Sequence, residues 1–232
     1  MILLTSPGNP TSTLVPPSVV KELLDSPSFK GLVVIDEAYI DFAIPPAPDE
    51  PVSAASLVDE YPNLVVLQTL SKGFGLAAIR LGLGLASPEL VQILSNTKAP
   101  YNVSAPTAAL ALHALAPESL VAMQSKVQQL LQGRQWLVAA LEEFRQRGDL
   151  GNRVGGLDGN FVLFPVLKRG TGKPDNVRAE KVYQKLAETE GVVVRFRGRE
   201  LGCEGCLRIT VGTDEENQMC VEKLRKVLEE TD

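Results

Sequence analysis

Short, nearly unbroken apolar runs mark the first third of the chain: MILLT at 1–5, LVVI at 32–35, LVVL at 64–67 and LGLGLA at 81–86. Runs of this length bounded by turn residues predict strands covered on both faces, as in a parallel sheet. The glycines of the last run predict close approach of another backbone. After the first run comes SPGNPTST, a turn-rich loop, and PPSVVKELLD at 16–25 has helical spacing with proline at its start. AIPPAPDEP at 43–51 reads as a proline-rich loop.

Further on the period lengthens. Residues 88–98 and 106–116 read as helices. Residues 117–147 read as one long amphipathic helix, with Leu130, Leu131, Trp136, Leu137, Leu141 and Phe144 at helical spacing. Strands return at NFVLFPV (160–166), VVVRF (192–196) and LRITVG (207–212), separated by a helix at about 177–190 and closed by one at about 214–230. The pattern predicts an α/β large domain over 1–116 with a partial, mixed but mostly parallel sheet. A bridging helix over 117–147 and a small α+β C-terminal domain over 148–232 follow. No internal repeat interrupts this order.

Composition narrows the function. The 232 residues are 44% hydrophobic and 22% charged, a soluble globular profile, and the formal net charge is -5. That balance argues against a nucleic-acid or anionic-membrane partner. No apolar run is long enough to cross a bilayer, and MILLTSPGNPTST lacks the basic and apolar regions of a signal peptide. Three cysteines predict a reduced, cytoplasmic setting. Cys203-x-x-Cys206 stands alone, without the second pair or nearby histidines of a zinc site, and reads as ordinary buried cysteine. The single histidine, His113, lies in ALALHALA and reads as a helix residue, not a general base. Acid–base chemistry must then come from another side chain.

The ends of the predicted strands supply candidates. LVVI runs into Asp36 and Tyr39, LVVL into LQTLSKGFGLAAIRLG (67–82), and the first strand into Asn9. Ligands of α/β sheets sit outside the carboxyl ends of strands, so these residues are expected in one crevice. Lys72, set among small and apolar neighbours, reads as a desolvated lysine able to form a covalent link to a carbonyl. Asp36 could keep a pyridine nitrogen protonated, and Asn9 and Tyr39 could bond a ring oxygen. Thr69, Ser71 and Arg80 could hold a phosphate. The set describes a site for pyridoxal 5'-phosphate.

The stretches 6-SPGNPT-11, 35-IDEAYIDF-42, 69-TLSKGFGLAAIRLG-82, 100-PYNVSAP-106, 160-NFVLF-164 and 207-LRITVGT-213, in this order, resemble the fold-type I PLP-dependent aminotransferases, and among them the histidinol-phosphate branch. The resemblance implies that Lys72 tethers the cofactor and moves the substrate Cα proton, and that Asp36 pairs with the ring nitrogen. Asn9 and Tyr39 would bond the ring oxygen, and Ser71 and Arg80 the phosphate, with Thr69 nearby. Arg208 would grip a substrate carboxylate and Arg195 a substrate phosphate. Amino acid and 2-oxo acid substrates and a homodimer are implied as well.

Blander readings stand beside these: a surface lysine for Lys72, a helix N-cap role for Asp36, structural ion pairs for Arg80 and Arg208, and a solvated arginine cluster in VVVRFRGRE for Arg195. Packing explains Tyr101 and Asn160 equally well. The chain departs from the family at GNPTST, where NNPTG is usual. It also lacks the N-terminal part that family members carry before the SPGNP loop. Two further readings follow: a truncated, non-catalytic remnant, or a PLP-dependent decarboxylase of a phosphorylated amino acid on the same scaffold.

Overall fold

Three of the four early apolar runs pair side by side in parallel. β1 (Ile2–Thr5), β2 (Val33–Asp36) and β3 (Leu64–Thr69) lie in that order, and β4 (Gly82–Ala86) completes the sheet antiparallel to β3. The computed structural model describes residues 1–45, 47 and 50–231. The predicted proline-rich loop at 43–51 therefore lies partly outside the described residues. The chain forms two compact units: Met1–Asn9 with Thr13–Val127, and Pro10–Ser12 with the chain from Gln128 onward.

In the first unit, alternate residues of β2 and β3 face α1 (Pro17–Asp25). Val33, Ile35, Leu64 and Val66 are fully buried and pack with Val20, Leu24, Ala54 and Tyr61. The intervening Val34 and Val65 are buried as well, so β2 and β3 are covered on both faces as their runs predict, whereas β1 alternates between half-buried and exposed and β4 is mostly exposed, against the expectation. The fourth strand runs antiparallel to β3. Residues 70–81 between them hold a short 3-10 turn at Ala77–Ile79 and no crossover helix, the element that usually returns a chain for parallel pairing. Three helices follow: α2 (Pro88–Thr97), α3 (Ala105–Ala114) and α4 (Pro117–Gln146). Ser104 caps α3, its hydroxyl accepting the Thr107 N–H at 3.2 Å.

The second unit carries an antiparallel sheet, ordered β5 (Phe161–Pro165), β7 (Cys206–Thr210), β6 (Arg195–Phe196), with α5 (Asn176–Glu188) and α6 (Asp214–Glu229). Leu137, Leu141 and Phe144 of α4 enter its core at helical spacing beside Val162, Phe164, Val182, Leu207 and Leu224. A capping box starts α6, Thr213 and Glu216 exchanging side chain-to-backbone bonds. Arg178 is buried but fully employed, donating to Asp149 and to the carbonyls of Leu167, Leu228 and Thr231. Its bonds tie the last turn of the chain to β5's extension.

Two expectations are corrected here. Trp136 is 43% exposed, because the core stripe of α4 runs through Leu130, Arg134, Leu137, Leu141 and Phe144, and Trp136 lies off it. The strand expected over 192–196 shrinks to Arg195–Phe196. Gly191 is left-handed and the Val192 N–H caps the end of α5 at Leu186 O, so Val192 to Val194 cannot join the ladder.

The GNPTST departure has a physical consequence at Ser12, which adopts φ +55, a left-handed conformation that glycine enters freely and serine does not. The buried hydroxyl compensates by accepting the Gly159 N–H at 2.6 Å, while the Ser12 and Thr11 carbonyls accept from Asp158 and Gly156, both at 2.9 Å. Ser12→Ala loses the hydroxyl and keeps the strained backbone; Ser12→Gly loses the hydroxyl and relieves it. Urea unfolding should therefore rank Ser12→Ala about 1 kcal/mol less stable than Ser12→Gly.

Candidate active site

The parallel register sets the first half of the site. Asp36 ends β2 between Thr5 of β1 and Leu67 of β3, at the carboxyl edge of the sheet. Its Oδ1 accepts the Ala38 N–H at 3.0 Å, which turns the chain sharply off the strand. Tyr39 follows, just before a 3-10 turn at Ile40–Phe42 that the buried Phe42 pins to the unit.

β3 delivers the second half. Thr69, its last residue, lies with Oγ1 2.9 Å from Ser71 Oγ, 3.2 Å from the Leu81 carbonyl and 3.1 Å from the Ser71 N–H, which it accepts. Leu70 is buried and anchors the loop, whose backbone closes through Leu76 N–H to Leu70 O and Gly75 N–H to Lys72 O, both at 3.0 Å. Lys72 Nζ stands 5.4 Å from the centroid of the Tyr39 ring, within the range of a cation–π contact.

The structure thus brings Asp36, Tyr39, Thr69, Ser71 and Lys72 to one end of the sheet. Asn9, itself exposed, follows β1 on a loop whose Ser6, Pro7, Gly8 and Pro10 are buried. Arg80 is exposed and left-handed, and its guanidinium donates to Ala77 O at 2.9 Å. The expected desolvation of Lys72 is not found: the side chain is exposed. Its loop neighbours Ser71, Gly73, Gly75, Ala77 and Ala78 are too small to cover an amine.

Within the second unit, Arg195 and Arg208 are directly opposed on neighbouring strands β6 and β7. Like charges in that position repel, and an anion between them would relieve the repulsion. The Arg208 guanidinium also stacks 4.9 Å from the Phe161 ring centroid. Tyr101 is fully exposed, Asn160 accepts the Val211 N–H at 2.9 Å, and His113 is an exposed residue in the last turn of α3. Cys203, Cys206 and Cys220 are free and buried. Burial pushes the Cys206 thiol up to about 12 and Cys220 to about 11, so neither is a ready thiolate.

Two carboxylates escape the motif reading. Glu37 is 2% exposed and accepts from Ser53 Oγ and the Ala54 N–H, both at 2.6 Å, and from Gln68 Nε2 at 2.9 Å. Asp41 packs against Gly73, where a Cβ would lie 2.3 Å from its Oδ2. The available signal was strand alternation. Following Asp36 directly, Glu37 must point to the opposite face, where an acid survives only with partners.

Among the described residues no group of three His, Cys, Asp or Glu side chains could hold a metal ion, and no helix is long and apolar enough to cross a membrane.

A mixed, mostly parallel sheet with an amine, an acid and clustered hydroxyls at its carboxyl edge is the architecture of the fold-type I transferases. The chain belongs to the aminotransferase class I and II family, whose model matches residues 1–224. It is 48% identical over 226 residues to the histidinol-phosphate aminotransferase of Schizosaccharomyces pombe, covering 97% of this chain and 57% of that protein. It is 45% identical to the Saccharomyces cerevisiae protein of the same name, covering 98% and 55%. The chain therefore spans a little over half the length of the relatives it matches. The fold agrees with the crystal structure of histidinol-phosphate aminotransferase from Sinorhizobium meliloti in complex with pyridoxal-5'-phosphate. The TM-score is 0.81 at 23% identity, with 98% of this chain and 57% of that one covered. The enzyme of the same name from Clostridium acetobutylicum gives 0.82 at 20% identity, covering 98% and 64%.

Burial holds the Glu37 carboxyl above its ordinary value of 4.5, opposed by the donors from Ser53, Gln68 and Ala54. Its folded form therefore binds protons more readily than its unfolded form, so its stabilising contribution is present at low pH and lost as pH rises through the folded value. The stability of the wild type relative to Glu37→Gln, measured by urea unfolding from pH 4 to 8, should fall as pH rises.

Proposed function

We propose that this chain carries the cofactor-holding and substrate-binding residues of a PLP-dependent aminotransferase. The reaction moves an amino group between a donor such as histidinol phosphate and 2-oxoglutarate. The observation that carries the reading is the assembly of Asp36, Tyr39, Thr69, Ser71 and Lys72 at the carboxyl edge of β2 and β3.

The donor set fits pyridoxal 5'-phosphate. Ser71 and Thr69 present hydroxyls, and Arg80 a guanidinium, of the kind a phosphate accepts. Asp36 is an acid for the ring nitrogen, Asn9 and Tyr39 are donors for the ring oxygen, and Lys72 is an amine for the aldehyde. When bound, the cofactor supplies an electron sink for the pair left on the substrate Cα. Asp36 maintains that sink by holding a proton on the ring nitrogen. The Lys72 amine would be the base that moves the proton at the substrate Cα. In the second unit, Arg208 takes a carboxylate in two-pronged fashion and Arg195 a phosphate.

We read residues 1–116 as the cofactor domain, 117–147 as the connecting helix and 148–232 as the small domain, in a homodimeric, cytoplasmic enzyme. A second reading, a chain that keeps the site residues without catalysis, is favoured by the exposure of Lys72.

Incubation with pyridoxal 5'-phosphate, borohydride reduction and peptide mass analysis should place the adduct on Lys72 and give none there in Lys72→Ala. Absence of that adduct at saturating cofactor selects the second reading. With donor and 2-oxoglutarate, Arg208→Lys should raise KM for the 2-oxo acid about tenfold or more through loss of the bidentate contact.

A further inference from the structure

The turn at 39–43 and the loop at 70–76 touch at two points. One is the Tyr39 ring beside Lys72 Nζ, 5.4 Å from its centroid. The other lies two residues past Tyr39 and one past Lys72, where the Asp41 carboxylate packs against Gly73. The approach is close enough to dictate residue type. A Cβ on Gly73 would lie 2.3 Å from Asp41 Oδ2 and 2.6 Å from its Cγ. Gly73 is not among the positive-φ residues, so backbone conformation does not demand glycine here; the proximity of Asp41 does.

Each partner is rigidly seated. Phe42, next to Asp41, is 1% exposed, and its N–H bonds Tyr39 O at 3.1 Å while Ala43 N–H bonds Ile40 O at 3.0 Å. On the other side Leu70 is 2% exposed and the loop is closed at Leu76. The Lys72 side chain is exposed, with the Tyr39 ring 5.4 Å from its amine, so its placement depends on its backbone.

We propose that Asp41 is a positioning residue for Lys72: by packing its carboxylate against Gly73 it fixes the backbone that aims the amine across Tyr39. The proposal rests on the aminotransferase reading only in giving Lys72 its task; the clasp itself is a property of the fold.

The test compares wild type, Asp41→Ala, Asp41→Asn and Gly73→Ala. One readout is the rate at which Lys72 is modified by pyridoxal 5'-phosphate with borohydride trapping, followed by peptide mass. Another is hydrogen exchange of the 70–76 segment, with the thermal midpoint as a control. Asp41→Ala and Gly73→Ala should slow Lys72 modification roughly ten- to hundredfold, the scale expected of a small misplacement, and speed exchange of the segment. Asp41→Asn keeps the shape that packs on Gly73 and should restore both. Modification rates equal across the four proteins overturn the proposal, as does loss that tracks the thermal midpoint and is not rescued by Asp41→Asn. If wild-type Lys72 takes no adduct, the aminotransferase reading fails instead, and exchange decides alone. Protection lost in Asp41→Ala and kept in Asp41→Asn upholds the clasp, and equal protection in both overturns it.

Discussion

The register of β2 between β1 and β3 is the constraint from which the first unit follows. Val33 and Ile35 are buried against α1, and Val34 is buried on the opposite face. A slip of one residue would exchange those faces and turn the following acids the wrong way. With the register held, Asp36 emerges at the sheet edge and Glu37 is driven into the interior. There Ser53, Ala54 and Gln68 receive it. One apolar run of four residues thus decides where two carboxylates go and gives them opposite environments.

The same logic extends one turn further. Asp41 is drawn under the lysine loop by the burial of Phe42 beside it, and Gly73 is small enough to let it approach. Burial raises the Asp41 carboxyl, the Gly73 N–H opposes that rise, and the nearby Glu37 charge reinforces it. The loop is held through its backbone, by the Leu76 N–H on Leu70 O, the Gly75 N–H on Lys72 O and the packing of Asp41 on Gly73, while the Lys72 side chain itself is exposed.

The second unit solves a different problem. Its antiparallel sheet sets Arg195 against Arg208, a repulsive pair. The repulsion is tolerated because Arg208 is stacked on Phe161 and Arg195 is solvated. Among the described residues of this unit, Arg134, Asp149 and Arg178 are buried charges. Arg134 reaches Gly159 O at 2.7 Å, and Arg178 spends its donors on Asp149 and three carbonyls. Ser12 shows the same economy: a strained backbone is kept because its hydroxyl serves a buried N–H.

The primary structure alone determined the element order, the α/β character of the first unit and the α+β character of the second. Apolar period and turn chemistry are local and survive without tertiary information. The family motifs around Asp36, Lys72 and Arg208 were legible for the same reason, being contiguous in the chain. Tertiary structure decided what depends on contacts between distant segments. It turned β4 antiparallel, cut the third strand of the second unit to Arg195–Phe196 and rotated Trp136 out of the core. It also left Lys72 exposed, since cover for a side chain comes from other segments and not from its own neighbours. Above all it brought Asp41 onto Gly73 across thirty-odd residues of chain, because burial of Phe42 and Leu70, and not any local pattern, sets that distance.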